Sequence, residues 1–399
     1  MFGPSVLFQA LAYWVLVASS SQAYQAADPV AISTLAPYNT IAPPPASTPR
    51  TPITLNGKSP KLPKSGVIQP PTAGHGDVWH PKAGSKFQIV LGQMILKLDH
   101  DTPLVPDAEI FDIDMFHTPK EVISELSRRG KKVICYFSAG GTETWRPDNK
   151  EFKKVDVGDT MKEWKGEHWL NIRSEDVWRV MEKRIKYAYD KGCNAIDPDN
   201  LDAFNHESKR GGGFKPKLTK ADTVAYLARL SNEAAKYGMS TGLKNVEELV
   251  NDVSQYVHFA VNEECASMDN SDGCGPYQKF LLSGKPVFHI EYVKNRGGNG
   301  TNVQITSTNR SLSRYGTAEL EALYCQRSIL KGKTPLVAKA ADLLRGSTVI
   351  KELELGGFTL FCDGSTAITQ VSAAGAENVD LIEDKPKGGS KRGGKGRSN

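Results

Sequence analysis

The 399-residue sequence predicts an α/β chain built on a (β/α)8 TIM barrel, with a disordered N-terminal linker and a disordered C-terminal tail. Three observations predict it. Between residues 75 and 365, eight short apolar runs alternate with longer segments, several of helical pattern. The clearest helical segments close on glycine just before the next run, the rhythm of repeated βαβ units. Acidic residues gather at the C-terminal ends of the runs, where a barrel builds its site. No G-x-G-x-x-G and no P-loop is present, which speaks against a dinucleotide or nucleotide-triphosphate sheet.

In chain order, residues 1–23 come first. Their apolar run "SVLFQALAYWVLVASSSQA" ends in small residues and reads as a secretory signal peptide; a signal-anchor helix is the competing reading. Residues 24–74 are rich in Pro, Ser and Thr ("APPPASTPRTP") and bury too little to offset the entropy of ordering them, so a linker is expected. The domain follows at 75–365. Its runs are "KFQIVLG" (86–92), "IFDIDMF" (110–116), "KVICYFSA" (132–139), "NAIDPDN" (194–200), "STGLKN" (240–245), "HFAVNEE" (258–264), "PVFHIEY" (286–292) and "FTLFCDG" (358–364). Each has strand length and is rich in β-branched or aromatic residues.

Between them, "TPKEVISELSRRGKK" opens with Thr118 as an expected N-cap before Pro119 and ends basic, then Gly. "SEDVWRVMEKRIKYAYDKG" starts on Ser174 and closes on Gly192, with Val177, Val180, Met181, Ile185 and Ala188 on one face. "LTKADTVAYLARLSNEAAKYG" repeats the plan to Gly238. The connection after the first run, "LDHDTPLVPDAE", is short and carries two prolines, so its helix is expected to be missing or degraded. The tail, 366–399, ends in "KPKGGSKRGGKGRSN", with six basic residues and no acid. The whole chain carries +5, so the remainder is close to −1 and the basic balance belongs to the tail. No nucleic-acid partner and no stable membrane insertion are expected, and a monomer is.

Six cysteines fit an oxidising, extracellular or cell-surface location. Cys265 and Cys274 are close enough in sequence to close a small loop, which leaves Cys135–Cys193 and Cys325–Cys362 as the natural remainder. Asn299 and Asn309 head glycosylation sequons. No C-x-x-C occurs, so zinc is not expected; Mg²⁺ or Ca²⁺ on oxygen ligands stays open.

The acids carry the functional reading. Asp112 and Asp114 lie on the second run, Glu143 just past the third, and Asp197, Asp199 and Asp202 at the fourth. Lys244 and Asn245 finish the fifth, Glu263 and Glu264 the sixth, and Glu291 the seventh. A single acid after a strand commonly caps the next helix. Acids at five strand ends are poorly explained that way. Alternation puts Asp197 and Asp199 on one face, with Ile196 and Pro198 against the helices, so both aspartates are expected to point into the mouth. Paired carboxylates across a mouth suit glycoside hydrolysis, in which one donates a proton and the other attacks or activates water. Tyr136, Trp145, Trp164, Trp169, Phe204 and Tyr292 are available to stack sugar rings.

Six motifs, taken together and in this order, resemble glycoside hydrolase family 114: "ICYFSAGGTETWRPD" (134–148), "WKGEHWLNIRS" (164–174), "GCNAIDPDNLDAF" (192–204), "GLKN" (242–245), "FAVNEEC" (259–265) and "KPVFHIEY" (285–292). The resemblance covers roughly 80–365. It implies a (β/α)8 barrel, endo-α-1,4-polygalactosaminidase activity and a retaining mechanism, with Asp199 of "PDN" as nucleophile and Glu263 of "VNE" as acid and then base. It implies that Glu263 holds a proton near neutrality while Asp199 stays ionised. Asp114, Asp197 and Glu291 are expected to bind ammonium or hydroxyl groups of a cationic amino-sugar polymer. Tyr136, Glu143, Trp145, Asn200, Asp202, Lys244, Asn245 and Tyr292 complete the expected substrate site, and no organic cofactor is needed.

Three features depart from the family pattern: the insertion at 205–213, Glu264 where Gln is usual, and Asp197 where Glu is common. If Phe259 and Val261 pack outward, strict pleating turns Glu264 inward, and a bulge would restore Glu263; the motif favours Glu263. Two other functions compete: a barrel that binds cationic glycan or cell wall without turnover, and a hydrolase of another amino-sugar polymer such as chitosan.

Overall fold

The structure, a computed structural model, describes residues 77–372 apart from 97, 100, 163, 207–210, 267–272, 293, 297–301, 305–316, 326–329 and 331–333. The expected signal peptide, the linker, residues 373–399 and both sequons, Asn299 and Asn309, lie outside the described residues.

Strands β1 (Phe87–Val90), β2 (Ile110–Asp114) and β3 (Lys132–Ser138) begin the barrel. A three-stranded antiparallel insertion follows: β4 (Gly141–Glu143), β5 (Val157–Thr160) and β6 (Glu167–Leu170), ordered β4-β6-β5. The barrel resumes with β7 (Ala195–Asp199), β8 (Ser240–Lys244), β9 (Phe259–Glu263) and β10 (Val287–Tyr292). A small hairpin, β11 (Lys294–Arg296) with β12 (Asn302–Gln304), precedes β13 (Thr348–Lys351), β14 (Phe358–Phe361) and β15 (Thr366–Ile368). Every neighbouring pair in the row β1-β2-β3-β7-β8-β9-β10-β13 is parallel. These eight strands are the (β/α)8 barrel that the sequence predicts.

The helices are α1 (Lys120–Arg128), α2 (Glu175–Lys191), α3 (Lys220–Ala235), α4 (Val250–Val253), α5 (Gln278–Leu282), α6 (Thr317–Tyr324) and α7 (Pro335–Gly346). On α2, Ser174 Oγ accepts from the backbone N–H of Asp176 and Val177, and Gly192 takes the left-handed conformation that ends the helix. Its residues Val177, Val180, Met181, Ile185 and Ala188 are all buried, each contributing about 1.5–3 kcal/mol for the larger side chains. Thr219 forms a reciprocal capping box with Asp222 at the start of α3. Thr118 does not cap α1. The N-cap position falls on Pro119, which offers no side-chain hydrogen bond, and the Asp114 carboxylate accepts from the N–H of Phe116 and His117 just upstream.

Two expectations are corrected. The run 358–364 is not the eighth barrel strand: β14 pairs antiparallel with β13, which is the eighth. β13 has only four residues, with polar Thr348 and Lys351 at its ends, and so gives little signal in sequence. The domain also continues past residue 365. β15 pairs with β14, and Ile95 bridges Val371 antiparallel. This hairpin closes the barrel seam. Leu91 N donates to Leu355 O at 3.0 Å and Leu96 N to Gln370 O at 2.9 Å. Lys351, fully buried, donates to Gln88 Oε1 at 3.0 Å, Gly356 O at 2.8 Å and Thr359 Oγ1 at 3.0 Å. No helix occurs between β1 and β2 among the described residues, and part of that connection pairs with the seam instead.

The cysteines pair as Cys135–Cys193, Cys265–Cys274 and Cys325–Cys362.

Candidate active site

The strand ends open into a cleft of about 710 Å³. Alternation decides which side chains reach it. One core cluster holds Phe87, Ile134, Phe259, Val261, Phe288 and Ile290, alternate residues of the barrel strands, and is therefore the barrel interior. Since Phe259 and Val261 pack inward, Glu263 lies on the same face without any bulge. Glu264 follows with a positive φ of 66°, where the chain leaves the strand.

Glu263, Asp199 and Lys244 meet in the cleft. Lys244 Nζ lies 2.9 Å from Asp199 Oδ2 and 3.2 Å from Glu263 Oε2. Asn245 receives the Glu263 backbone N–H on Oδ1 at 2.9 Å and donates Nδ2 to Glu263 Oε2 at 3.1 Å. The Tyr292 hydroxyl donates to Glu263 Oε1. Burial pulls the Glu263 carboxyl upward, but Lys244, Tyr292 and Asn245 together outweigh it and hold Glu263 below the usual carboxylate range. This differs from the expected protonated acid: in the unliganded cleft all three partners favour the anion. Burial alone would lower Lys244, yet Asp199, Glu263 and Asp197 push its ammonium well above the ordinary value.

Asn200 turns through a positive φ of 62° and donates Nδ2 to Ser138 Oγ at 2.8 Å. The loop after β3 approaches it so closely that a Cβ on Gly140 would lie 1.8 Å from Asn200 O, which only glycine permits. Arg146, which follows β4, reaches both Asp114 and Glu143. Its Nη1 and Nη2 lie 3.0 and 2.6 Å from the Asp114 carboxylate, and its Nε and Nη2 each lie 2.8 Å from Glu143. Burial would raise Asp114, but Arg146 holds it below the ordinary range. Behind this loop, buried Arg184 of α2 holds Asp148 at 2.7 and 2.8 Å and Ser138 O at 2.6 Å, fixing the loop to the barrel wall.

The signature of glycoside-hydrolase family GH114 matches residues 69–367. The chain belongs to family GH114. It is a glycoside hydrolase, as the sequence motifs imply. Among solved structures it is similar to Aspergillus fumigatus Ega3 in complex with galactosamine. The identity is 35%, the match covers 72% of this chain and 99% of that one, and the TM-score is 0.56. It is also similar to the glycoside hydrolase domain of PelA from Pseudomonas aeruginosa, at 13% identity over 68% of this chain and 96% of that one, with a TM-score of 0.46. No curated protein sequence matches the chain.

In this GH114 barrel the expected site residues divide. Asp114, Tyr136, Glu143, Trp145, Asp199, Asn200, Asp202, Lys244, Asn245, Glu263 and Tyr292 all line the cleft. Asp202 sits at the rim, its Oδ2 2.6 Å from His206 Nε2. Two do not line it. Glu291 lies on the outward face of β10, fully buried, with Oε1 2.8 Å from His289 Nε2 and accepting from Ala266 N. The reason is the pleat: adjacent Glu291 and Tyr292 cannot share a face, and Tyr292 belongs to the inner cluster. Asp197 faces inward but one step lower, fully buried beneath the mouth, and neither of its oxygens has a hydrogen-bond partner. Burial, with Asp199 and Glu263 nearby, pushes it up to about 8 against the pull of Lys244. Asp112, also fully buried, is raised for the same reason, with Asp197 adding to it. Arg146 and Glu167 are cleft residues that the sequence reading missed. Two buried acids on one wall require a cation, and that was the signal for Arg146.

Proposed function

We propose that this enzyme is a retaining endo-glycosidase that cleaves α-1,4-linked galactosamine polymers in their deacetylated regions, outside the cell or at its surface. Asp199 is the nucleophile, and Glu263 the acid and then the base. The observation that carries the reading is the convergence of these two carboxylates on one ammonium. Their contacts of 2.9 and 3.2 Å to Lys244 Nζ hold those two oxygens within about 6 Å of one another, which a retaining pair with carboxyl groups ~5–5.5 Å apart fits.

Lys244 also separates the two roles. Its closer bond is to Asp199, whose carboxylate it orients for attack on the anomeric carbon. When a sugar enters, its glycosidic oxygen takes the space beside Glu263. Lys244 stays with Asp199, and Glu263 takes up the proton that it then gives to the leaving oxygen. Water completes the second half with Glu263 as base. Trp145 and Trp164 are half exposed on the rim and offer ring faces to the polymer. The three disulfides support an oxidising, extracellular setting.

The test is digestion of α-1,4-polygalactosamine, with chitosan and N-acetylated polymer in parallel and NMR of the first-formed anomer. The reading expects soluble α-configured oligosaccharides from polygalactosamine. It expects loss of turnover by about 10³-fold or more in both Asp199→Asn and Glu263→Gln, each folded as wild type. Binding without cleavage, or near wild-type rates in either variant, would refute it.

A further inference from the structure

Glu143 and Glu167 stand directly opposite each other on the antiparallel strands β4 and β6. Like charges in that position repel, so a cation is needed between or beside them. Glu143 has one in Arg146, which it shares with Asp114. Glu167 has none. Among the described residues its carboxylate makes no hydrogen bond and no ion pair, although it is only half exposed and lines the cleft that contains Asp199. Burial, then Glu143 and Asp199, push it up to about 7, and the more distant Arg146 offsets them only in part.

The surroundings suit one kind of partner. Trp145 and Trp164 line the same cleft with 44% and 52% of their surface exposed, far more than core tryptophans such as Trp169. Trp145 is seated against the backbone beside Glu167: a Cβ on Gly166 would lie 3.1 Å from Trp145 Cζ3. A flat apolar ring next to an unpaired carboxylate matches a sugar that presents a C–H face and a cationic substituent.

We propose that Glu167 is a specificity-determining residue that binds the ammonium of a galactosaminyl unit stacked on Trp145 and Trp164, and so selects deacetylated over acetylated polymer. The inference rests on the polygalactosamine reading above and deepens it. An acetylated unit offers a neutral amide, which cannot neutralise Glu167 and leaves its repulsion with Glu143 in place.

The experiment compares kcat/KM of wild type and Glu167→Gln on two substrates of equal length, α-1,4-galactosamine oligomers and their partly N-acetylated counterparts. Removing the charge relieves the repulsion with Glu143, so the variant is expected to melt no lower than wild type. The expected result is a loss of about 10-fold or more on the deacetylated substrate and little change on the acetylated one, which collapses the selectivity ratio. Trp145→Ala is expected to lower both substrates together. An equal loss on both substrates in Glu167→Gln, or an unchanged ratio, overturns the assignment of Glu167 while leaving the glycosidase reading intact. Wild-type enzyme that cleaves neither substrate overturns both.

Discussion

Replacing Lys351 with methionine probes how the barrel seam is held. The Lys351 amine is fully buried and lies within 3.0 Å of three neutral oxygens, Gln88 Oε1, Gly356 O and Thr359 Oγ1. Burial lowers its pKa from 10.5 to about 7. The unfolded chain keeps the ordinary value. Between the two values the unfolded state therefore binds a proton that the native state does not. This group weakens the fold increasingly as pH falls from about 10.5, and the effect levels off below about 7, where both states are protonated. At about 1.4 kcal/mol per pH unit, the full effect is about 5 kcal/mol, of which about 3–4 kcal/mol develops between about pH 10 and about pH 7.

Methionine removes that pH-dependent cost. It also removes the two hydrogen bonds that the neutral amine can donate, worth about 1 kcal/mol each. The variant is expected to be less stable than wild type near pH 10, with the deficit shrinking or reversing toward pH 7. Urea unfolding of both proteins at about pH 7, 8.5 and 10 reads the difference directly. A stability difference that stays constant across this range would show that the native amine is charged throughout, and would refute the reasoning.

Two further outcomes are expected. Tyr292→Phe removes a donor that stabilises the Glu263 anion, so the Glu263 pKa rises; since kcat/KM requires the protonated acid, its alkaline limb moves to higher pH, and a limb that stays put or moves down in a full pH profile would argue against Glu263 as the acid. Changing both Cys135 and Cys193 to alanine opens a loop with a sequence separation of 58, and chain entropy gives a loss of about 4 kcal/mol; thermal unfolding with and without reductant checks this, because reductant lowers the wild-type melting temperature toward that of the variant.

Much of the fold could be read from the sequence because seven of the eight barrel strands are apolar runs long enough to stand out. The eighth could not. "TVIK" is short and begins right after α7, whereas "FTLF" nearby is more apolar and drew the assignment. Composition shows that a segment is a strand, not whether it pairs parallel or antiparallel. Parity explains the site in the same way. Asp199, Lys244, Glu263 and Tyr292 fall on inward positions, and Glu291 was misplaced because it neighbours Tyr292. Asp197 had the right parity but the wrong depth, which alternation does not encode. Glu167 was hidden for another reason: its place in the cleft comes from the insertion between β3 and α2, and only the pairing of β4 with β6 brings it opposite Glu143.

Asp199, Lys244 and Glu263 stand on three consecutive barrel strands, β7, β8 and β9. The proposed carboxylate pair and its lysine therefore occupy one arc of the ring. The tryptophans and Glu167 come from a separate module spliced in upstream, and Leu353–Leu355 contribute another stretch of wall. Under the proposed roles, this separation leaves substitutions in the inserted module free to alter the hold on a polymer while the carboxylate pair keeps its own scaffold.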